Sequence, residues 1–367
     1  MKKIKVCHMT SVHLPEDGRI FRKECISLAN AGYDTYLIQQ GDTYEKNGVH
    51  IIGFGKPESK RLKRMINSTS KVYKLALKVN ADIYHFHDPE LLPVGLKLKK
   101  KGKKVIFDSH EDTSALIMEK KYIPGLLRKM VSKTYRAYEK HICKRLDGVI
   151  YVTPNFREYF ESLNNNCVML TNYPIVEDEF VEPDYNSKRL FFAGMVIPLW
   201  HHHNILSAMN KIDDVSYTLC GNANQEYLSS LKRIESWDKV DYLGRVDYST
   251  VKEEMQRSSI GICILGQSLN NGGSMGCTKM FEEMMAGLPV ICSDYKYWKE
   301  IIEDNNCGIC VSPNDTAGIY NAICKLVNNP QMARTMGMNG RKLVETKYNW
   351  KNEEKKILKL YSSFNKR

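Results

Sequence analysis

Short apolar runs alternate with longer amphipathic stretches along the whole chain. Ile4–Met9 reads as a strand, and Ile20–Ala31 follows as a helix with Phe21, Cys25, Leu28 and Ala29 on one face and Gly32 to stop it. Thr35–Ile38, His50–Phe54, Ile83–Phe86, Val105–Phe107, Val149–Val152 and Val168–Leu170 read as further strands, with helices near Leu62–Val79 and Leu91–Leu98. Residues 176–188 break the pattern with acids, Pro183, Asn186 and Ser187. The alternation then restarts at Leu190–Ala193, Ser216–Leu219, Val240–Leu243, Ile260–Ile264, Pro289–Ser293 and Ile309–Val311, and Leu343–Phe364 reads as an amphipathic tail helix. Strands that alternate with helices predict parallel sheets covered on both faces. The expectation is two doubly wound α/β domains: residues 1–175, a linker at 176–188, residues 189–345, and a C-terminal helix at 346–367 packing back toward the first domain. Such sheets bind ligands at the carboxyl ends of their strands, so a cleft between the two domains is expected to hold the site.

With 367 residues, 43% hydrophobic and 26% charged, the chain has an ordinary globular profile, which excludes disorder, collagen and coiled coil as the main architecture. No stretch approaches the roughly 20 apolar residues of a membrane span, and the N-terminal run is too short for a signal peptide. The 11 cysteines are odd in number and scattered, which predicts free thiols in a reducing cytosol. Cys307-Gly308-Ile309-Cys310 has redox spacing but reads as a strand entered from a turn. The net charge of +12 suits an anionic partner. No helix-turn-helix, zinc or ribonucleoprotein signature accompanies it, so nucleic acid is not expected. Residues 122–146 form one amphipathic helix: Tyr122, Leu126, Leu127, Met130, Val131, Tyr135, Tyr138 and Ile142 recur at spacings of three and four, opposite Arg128, Lys129, Lys133, Arg136 and Lys140. That pattern fits core packing for the apolar stripe and an anionic membrane surface for the basic face.

The richest segment runs from Asn270 through Gly272, Gly273 and Ser274 to Thr278, Lys279 and Glu282. A strand enters a glycine-rich loop that opens a helix. Loop amides and a helix N-terminus favour an anion. Thr278 is placed to cap the helix, Lys279 to reach a phosphate, and Glu282, one turn on, to accept from a ribose diol. The segment predicts a nucleoside diphosphate site, and it is not a P-loop, because the Gly-Lys-Ser/Thr order is absent.

Lys279-Met280-Phe281-Glu282-Glu283-Met284-Met285-Ala286-Gly287-Leu288-Pro289-Val290 closely resembles the donor-site helix of family 4 glycosyltransferases. Thr10-Ser11-Val12-His13 with Asp17-Gly18-Arg19-Ile20-Phe21-Arg22-Lys23-Glu24 resembles the opening of the polysaccharide-building members. Asp82-Ile83-Tyr84-His85-Phe86-His87-Asp88, Phe107-Asp108-Ser109-His110-Glu111, Tyr242-Leu243-Gly244-Arg245-Val246 and Tyr348-Asn349-Trp350 extend the likeness over nearly the whole chain. The resemblance implies the GT-B fold, a group 1 glycosyltransferase, and retaining transfer from a nucleotide sugar without metal or other cofactor. It places Glu282 on the donor ribose and His110 as the active-site histidine. The family's first motif glutamate falls on Ser274. Gly194 opens a loop that in the family carries a basic residue, yet 195–203 holds no Arg or Lys, which leaves Lys279, Arg245 or a histidine to supply the charge.

His201, His202 and His203 are adjacent and cannot easily converge on one ion, so a loop role, with His201 near phosphate, is expected. His85 and His87 share a strand face. His87, His13, Asp17, Arg19 and His201 are candidates to line the cleft or touch the acceptor, and His85 is read as structural. The leading expectation is a cytoplasmic enzyme on the inner face of the plasma membrane, extending a lipid-linked cell-surface glycan and held near anionic lipid by helix 122–146. The alternatives are a nucleotide-sugar epimerase of the same fold and a non-catalytic sugar-nucleotide-binding subunit.

Overall fold

The computed structural model describes residues 3–56, 61–120, 122–267 and 277–364. It divides into two compact units, Met1–Asn172 with Lys351–Arg367, and Tyr173–Trp350. In the first, β1 (Lys5–Met9), β2 (Asp34–Gln39), β3 (Tyr44–Lys46), β4 (Val49–Gly53), β5 (Ile83–Phe86), β6 (Lys104–Ser109), β7 (Gly148–Tyr151) and β8 (Cys167–Met169) form one sheet. Its order is β3-β4-β2-β1-β5-β6-β7-β8, parallel except for the β3–β4 hairpin. The short strand β3 carries little apolar signal, which is why its residues do not stand out in the sequence. In the second unit, β9 (Arg189–Ala193), β10 (Ser216–Cys220), β11 (Val240–Gly244), β12 (Ile260–Cys263), β13 (Val290–Ser293) and β14 (Gly308–Val311) form an all-parallel sheet in the order β11-β10-β9-β12-β13-β14.

Central strands are apolar on both faces because helices cover both: all four residues of β5, β7, β12 and β13 are buried. In each unit the strand order reverses around one strand, β1 in the first and β9 in the second. A crevice opens beyond the carboxyl ends at such a point.

Three boundaries differ from the sequence expectation. Residues 176–188 do not stand apart as a linker but belong to the second unit, where Tyr185 Oη donates to the Gly287 carbonyl at 2.7 Å and the Asp184 amide to the Gln256 carbonyl at 2.9 Å. The tail is two helices, Pro330–Thr346 and Trp350–Ser363. Asn349 Nδ2 separates them by donating to the Val344 and Glu345 carbonyls, both at 2.9 Å, so the side chain ends the first helix. The second packs on the first unit's sheet: the Thr171 amide donates to Glu353 at 2.9 Å, and buried Tyr361 reaches β1 and β5. The helix after β1 starts as a π-turn, Ile20–Cys25, before Ile26–Asn30 becomes α-helical.

Candidate active site

In the first unit, Asp17 starts the π-turn. Its Oδ1 accepts from the amides of Arg19 at 2.8 Å and Ile20 at 2.9 Å. The amides of Arg22 and Glu24 then reach back five residues, to the Asp17 carbonyl at 3.2 Å and the Arg19 carbonyl at 3.0 Å. This wider turn puts Arg19 and Glu24 inside, at 5% and 0% exposure. Arg19 grips Asp108 of β6 with Nη2 at 3.0 and 2.9 Å and Nε at 3.1 Å, donates to the Leu170 carbonyl at 2.9 Å, and meets Glu24 at 3.0 Å.

Register does the rest. β1 pairs His8 with His85, and β5 pairs His85 with Ile106, so His8, His85, His87 and Asp108 project to one face by the two-residue period. His8 Nδ1 lies 3.0 Å from His87 Nε2, and His87 Nδ1 lies 3.3 Å from both Asp108 and His110 Nε2. His110 Nε2 is 3.1 Å from Asp108 Oδ2, and the His110 ring meets His13 edge-on at 5.2 Å. His13 in turn faces Asp17 at 3.3 Å and Asp88 at 3.5 Å. The fold therefore gathers His13, Asp17, Arg19, His87 and His110 in one place.

Burial sets their charges. Asp108 is buried, but the Arg19 guanidinium and then His110 hold its carboxyl well below the usual range. Glu24 moves the opposite way, raised first by burial and then by the Asp108 charge. Burial pulls His87 down to about 4. Burial opposes charge on His13 as well, but the Asp17 hydrogen bond and the charges of Asp88, Asp17 and Asp108 outweigh it and raise its pKa.

Two expectations change here. Arg19 does not face an acceptor; it is buried and fully engaged. His87 does not line a surface either, being 2% exposed; it orients His110. The exposed members are His13 and His110, with side chains 27% and 19% accessible. His8, Glu24, Asp108 and Tyr361 are site members that sequence reasoning missed. The two-residue spacing of His85 and His87 and their pairing with His8 carried a signal, whereas nothing local marked Tyr361.

In the second unit, the carboxyl ends of β9, β10 and β12 crowd together. A Cβ at Gly221 would lie 1.9 Å from the Gly194 carbonyl oxygen, and one at Gly194 would lie 2.1 Å from Lys279 Cε and 3.1 Å from its ammonium. Lys279 Nζ sits 4.7 Å over the Trp200 ring. His201, at φ +48°, brings Nε2 within 2.6 Å of where a Gly266 Cβ would be. Lys279 and His201 thus stand at the strand ends where the 195–203 loop has no Arg or Lys.

The three histidines go three ways. His202 is fully buried with Nδ1 3.1 Å from Tyr217 Oη, and His203 Nε2 faces Ser230 Oγ at 3.3 Å. Thr278 is the first residue of the Thr278–Met285 helix rather than its cap; Cys277 holds the cap position. The Cys277 thiol is pulled down to about 7 by its contact with Cys263 Sγ, at 3.3 Å, and by Lys279 and helix amides, against burial. Glu282 is half-buried and lines a cavity with Glu177, Phe180, Tyr248, Lys252 and Arg341. Its neighbour Glu283 points the other way, buried beneath Gly261, with burial raising its pKa. Arg245 is exposed just beyond β11. Gly272, Gly273 and Ser274 lie outside the described residues.

Two family models match the chain: Glycosyltransferase Family 4 over residues 19–168 and Glycosyl transferases group 1 over residues 177–343. The chain belongs to the family 4, group 1 glycosyltransferases. The glycosyltransferase is 22% identical over 305 residues to the phosphatidyl-myo-inositol mannosyltransferase of Mycobacterium leprae, covering 80% of this chain and 76% of that one. Its fold is GT-B. It matches sucrose-phosphate synthase from Thermosynechococcus elongatus with a TM-score of 0.78, 16% identity and 99% of each chain covered. It matches Anabaena HepE, solved with UDP and glucose, with a TM-score of 0.73, 16% identity, and 98% and 100% covered.

One consequence of burial in the glycosyltransferase is measurable in the second unit. Burial, then the charges of His203 and His201, lower His202 from 6.5 to about 3. Between those values the unfolded chain takes a proton that the folded chain refuses, so stability falls as pH falls from about 6.5 toward 3. His202→Gln removes this contribution. Melting temperature against pH should therefore drop less steeply in the variant over that window, and parallel curves would refute the assignment.

Proposed function

We propose that the protein is a retaining glycosyltransferase that moves a sugar from a nucleotide sugar to a lipid-linked, cell-surface glycan, with no metal in the transfer step. The observation that carries the donor assignment is Lys279. Its ammonium reaches Gly194 at the end of β9 and so stands where the family's loop cation is missing. Departure of a nucleoside diphosphate builds negative charge on the β-phosphate, and a cation held there by packing stabilises it without reorganisation. Lys279 and His201 would take the diphosphate. Glu282 would accept from the ribose diol. His110, held by Asp108 and His87, is the group assigned to the reacting sugar or acceptor. HepE is described with UDP and glucose, so uridine nucleotides are the first donors to test.

The acceptor reading rests on the Gly125–Cys143 helix. Its later half packs inward through Glu139, Ile142 and Cys143. In its first half Ser132 packs inward against Ser114, but the apolar side chains do not: Leu126 is 96% exposed, with Met130 at 59% and Leu127 and Val131 also in solvent beside exposed Lys129 and Lys133. Apolar side chains flanked by lysines suit the boundary of an anionic bilayer, and the mycobacterial relative's name specifies a lipid acceptor. Among the described residues no helix is long and apolar enough to cross a membrane, so attachment would be at the surface.

Glu282→Ala should weaken UDP binding, read by calorimetry, about 10- to 100-fold, the worth of hydrogen bonds to a charged group. Unchanged affinity would remove Glu282 from the donor site. UDP-sugar that binds but is never turned over, with any acceptor, would favour a binding subunit.

Leu126→Ser with Met130→Ser should lower co-sedimentation with vesicles containing phosphatidylglycerol, and Lys129→Glu with Lys133→Glu should lower it further. Vesicle binding that survives both pairs would end the membrane reading of this helix.

A further inference from the structure

We infer that His8, Glu24, His85 and His87 form a structural divalent-metal site, suited to zinc, inside the first unit. Three neighbouring pieces of the fold supply the four side chains: β1, the π-turn after it, and β5 with the residue that follows it. All four side chains are shut off from solvent. Glu24 Oε2 lies 3.8 Å from His8 Nδ1, 3.8 Å from His85 Nδ1 and 3.9 Å from His87 Nε2. These gaps are too long for hydrogen bonds. They are close to the separation of ligands around an ion, since zinc bonds of about 2.0–2.1 Å at tetrahedral angles put ligand atoms about 3.4 Å apart. The fourth separation, 3.0 Å between His8 Nδ1 and His87 Nε2, brackets that value from below. All four ligand atoms lie within 4.8 Å of one another.

The surroundings have the form that orients metal ligands. Arg19 holds the other oxygen of Glu24 at 3.0 Å, which turns Oε2 toward the imidazoles. His87 Nδ1 lies 3.3 Å from Asp108, a carboxylate–histidine arrangement that leaves Nε2 free to ligate. His8 Nε2 lies 3.1 Å from Tyr361 Oη, which likewise leaves Nδ1 facing the cluster. Tyr361 Oη is also 2.8 Å from His85 Nδ1, and an ion would take over that lone pair.

A metal-free account exists. A chain of hydrogen bonds from Tyr361 through His8 and His87 to Asp108 satisfies four of the rings' nitrogens. Apart from Arg19, it leaves the Glu24 carboxyl only the Asp108 carboxylate, with which its neutral form shares a hydrogen bond, and among the described residues no other donor reaches Oε2. An ion at the centre would let that carboxyl ionise and would give Oε2 a direct partner. On binding, the Glu24 carboxyl gives up its proton to solvent and the three imidazoles bind in their neutral form. The ligand set is closed, with no position for substrate, so the ion would tie β1 to β5 and would not join the transfer reaction.

Cobalt(II) is the probe, because tetrahedral cobalt absorbs strongly in the visible and octahedral cobalt does not. The full chain, produced without a histidine tag and stripped with chelator, should develop intense visible bands that saturate at one equivalent. Zinc should bleach them. Glu24→Gln and His85→Gln should each weaken cobalt binding at least about tenfold, while His50→Gln, a partly exposed residue of β4 outside the cluster, should leave it unchanged. Absent or weak bands in the parent chain would overturn the site. So would bands unaltered by Glu24→Gln and His85→Gln, since the ion would then sit elsewhere. Should those variants not fold, the stoichiometry and intensity of the parent spectrum still decide.

Discussion

The first unit depends on one buried ion pair. Arg19 and Asp108 meet through three hydrogen bonds at 2.9–3.1 Å, at 5% and 0% exposure. Charges taken from water cost several kcal/mol each, and only close, multiply bonded geometry offsets that. Everything near them follows from this requirement. The π-turn exists to swing Arg19 inward. Asp108 stays ionised chiefly because Arg19 is there, and an ionised Asp108 fixes the rings of His87 and His110. Glu24, the second carboxyl in the same space, is pushed toward its neutral form first by burial and then by the Asp108 charge, because one guanidinium cannot compensate both anions.

The second unit meets a different constraint, the close approach of backbones. The oxygen of Gly194 sits where any side chain on Gly221 would have to be, and Lys279 packs against Gly194. Strand ends can crowd this way only with glycine at those positions. The result places an ammonium at the reversal point of the sheet, where a doubly wound fold binds ligands. Charge reaches the site from the start of a helix rather than from the loop after β9.

Much of the fold was legible because a doubly wound sheet leaves a strong periodic trace. Each long strand was visible as a short apolar run, and the Thr278–Met285 helix as a motif. The hairpin strand Tyr44–Lys46 left no trace because two of its three residues are exposed. The break at Asn349 was hidden because the apolar period runs straight through it; a single side-chain amide interrupts the helix. The site was legible in part. His13, Asp17 and His110 stood out as residues at strand ends and in the loop after β1. The roles of Arg19 and His87 were not readable, since whether a polar residue faces solvent or another charge depends on neighbours up to 151 residues away, as with Arg19 and Leu170. Tyr361 lies 353 residues from His8, and no local pattern could join them.

The claim that this ion pair organises the first unit is tested most directly by a double-mutant cycle on Arg19→Met and Asp108→Asn. The readout is urea unfolding, with hydrogen exchange at β1 and β6 to keep the unit in view. Removing Arg19 alone leaves a buried anion unpaired and should cost about 3–5 kcal/mol. The double variant should cost less than the sum of the two single changes by about 2–3 kcal/mol. Strict additivity, or a loss under about 1 kcal/mol for Arg19→Met, would contradict the account.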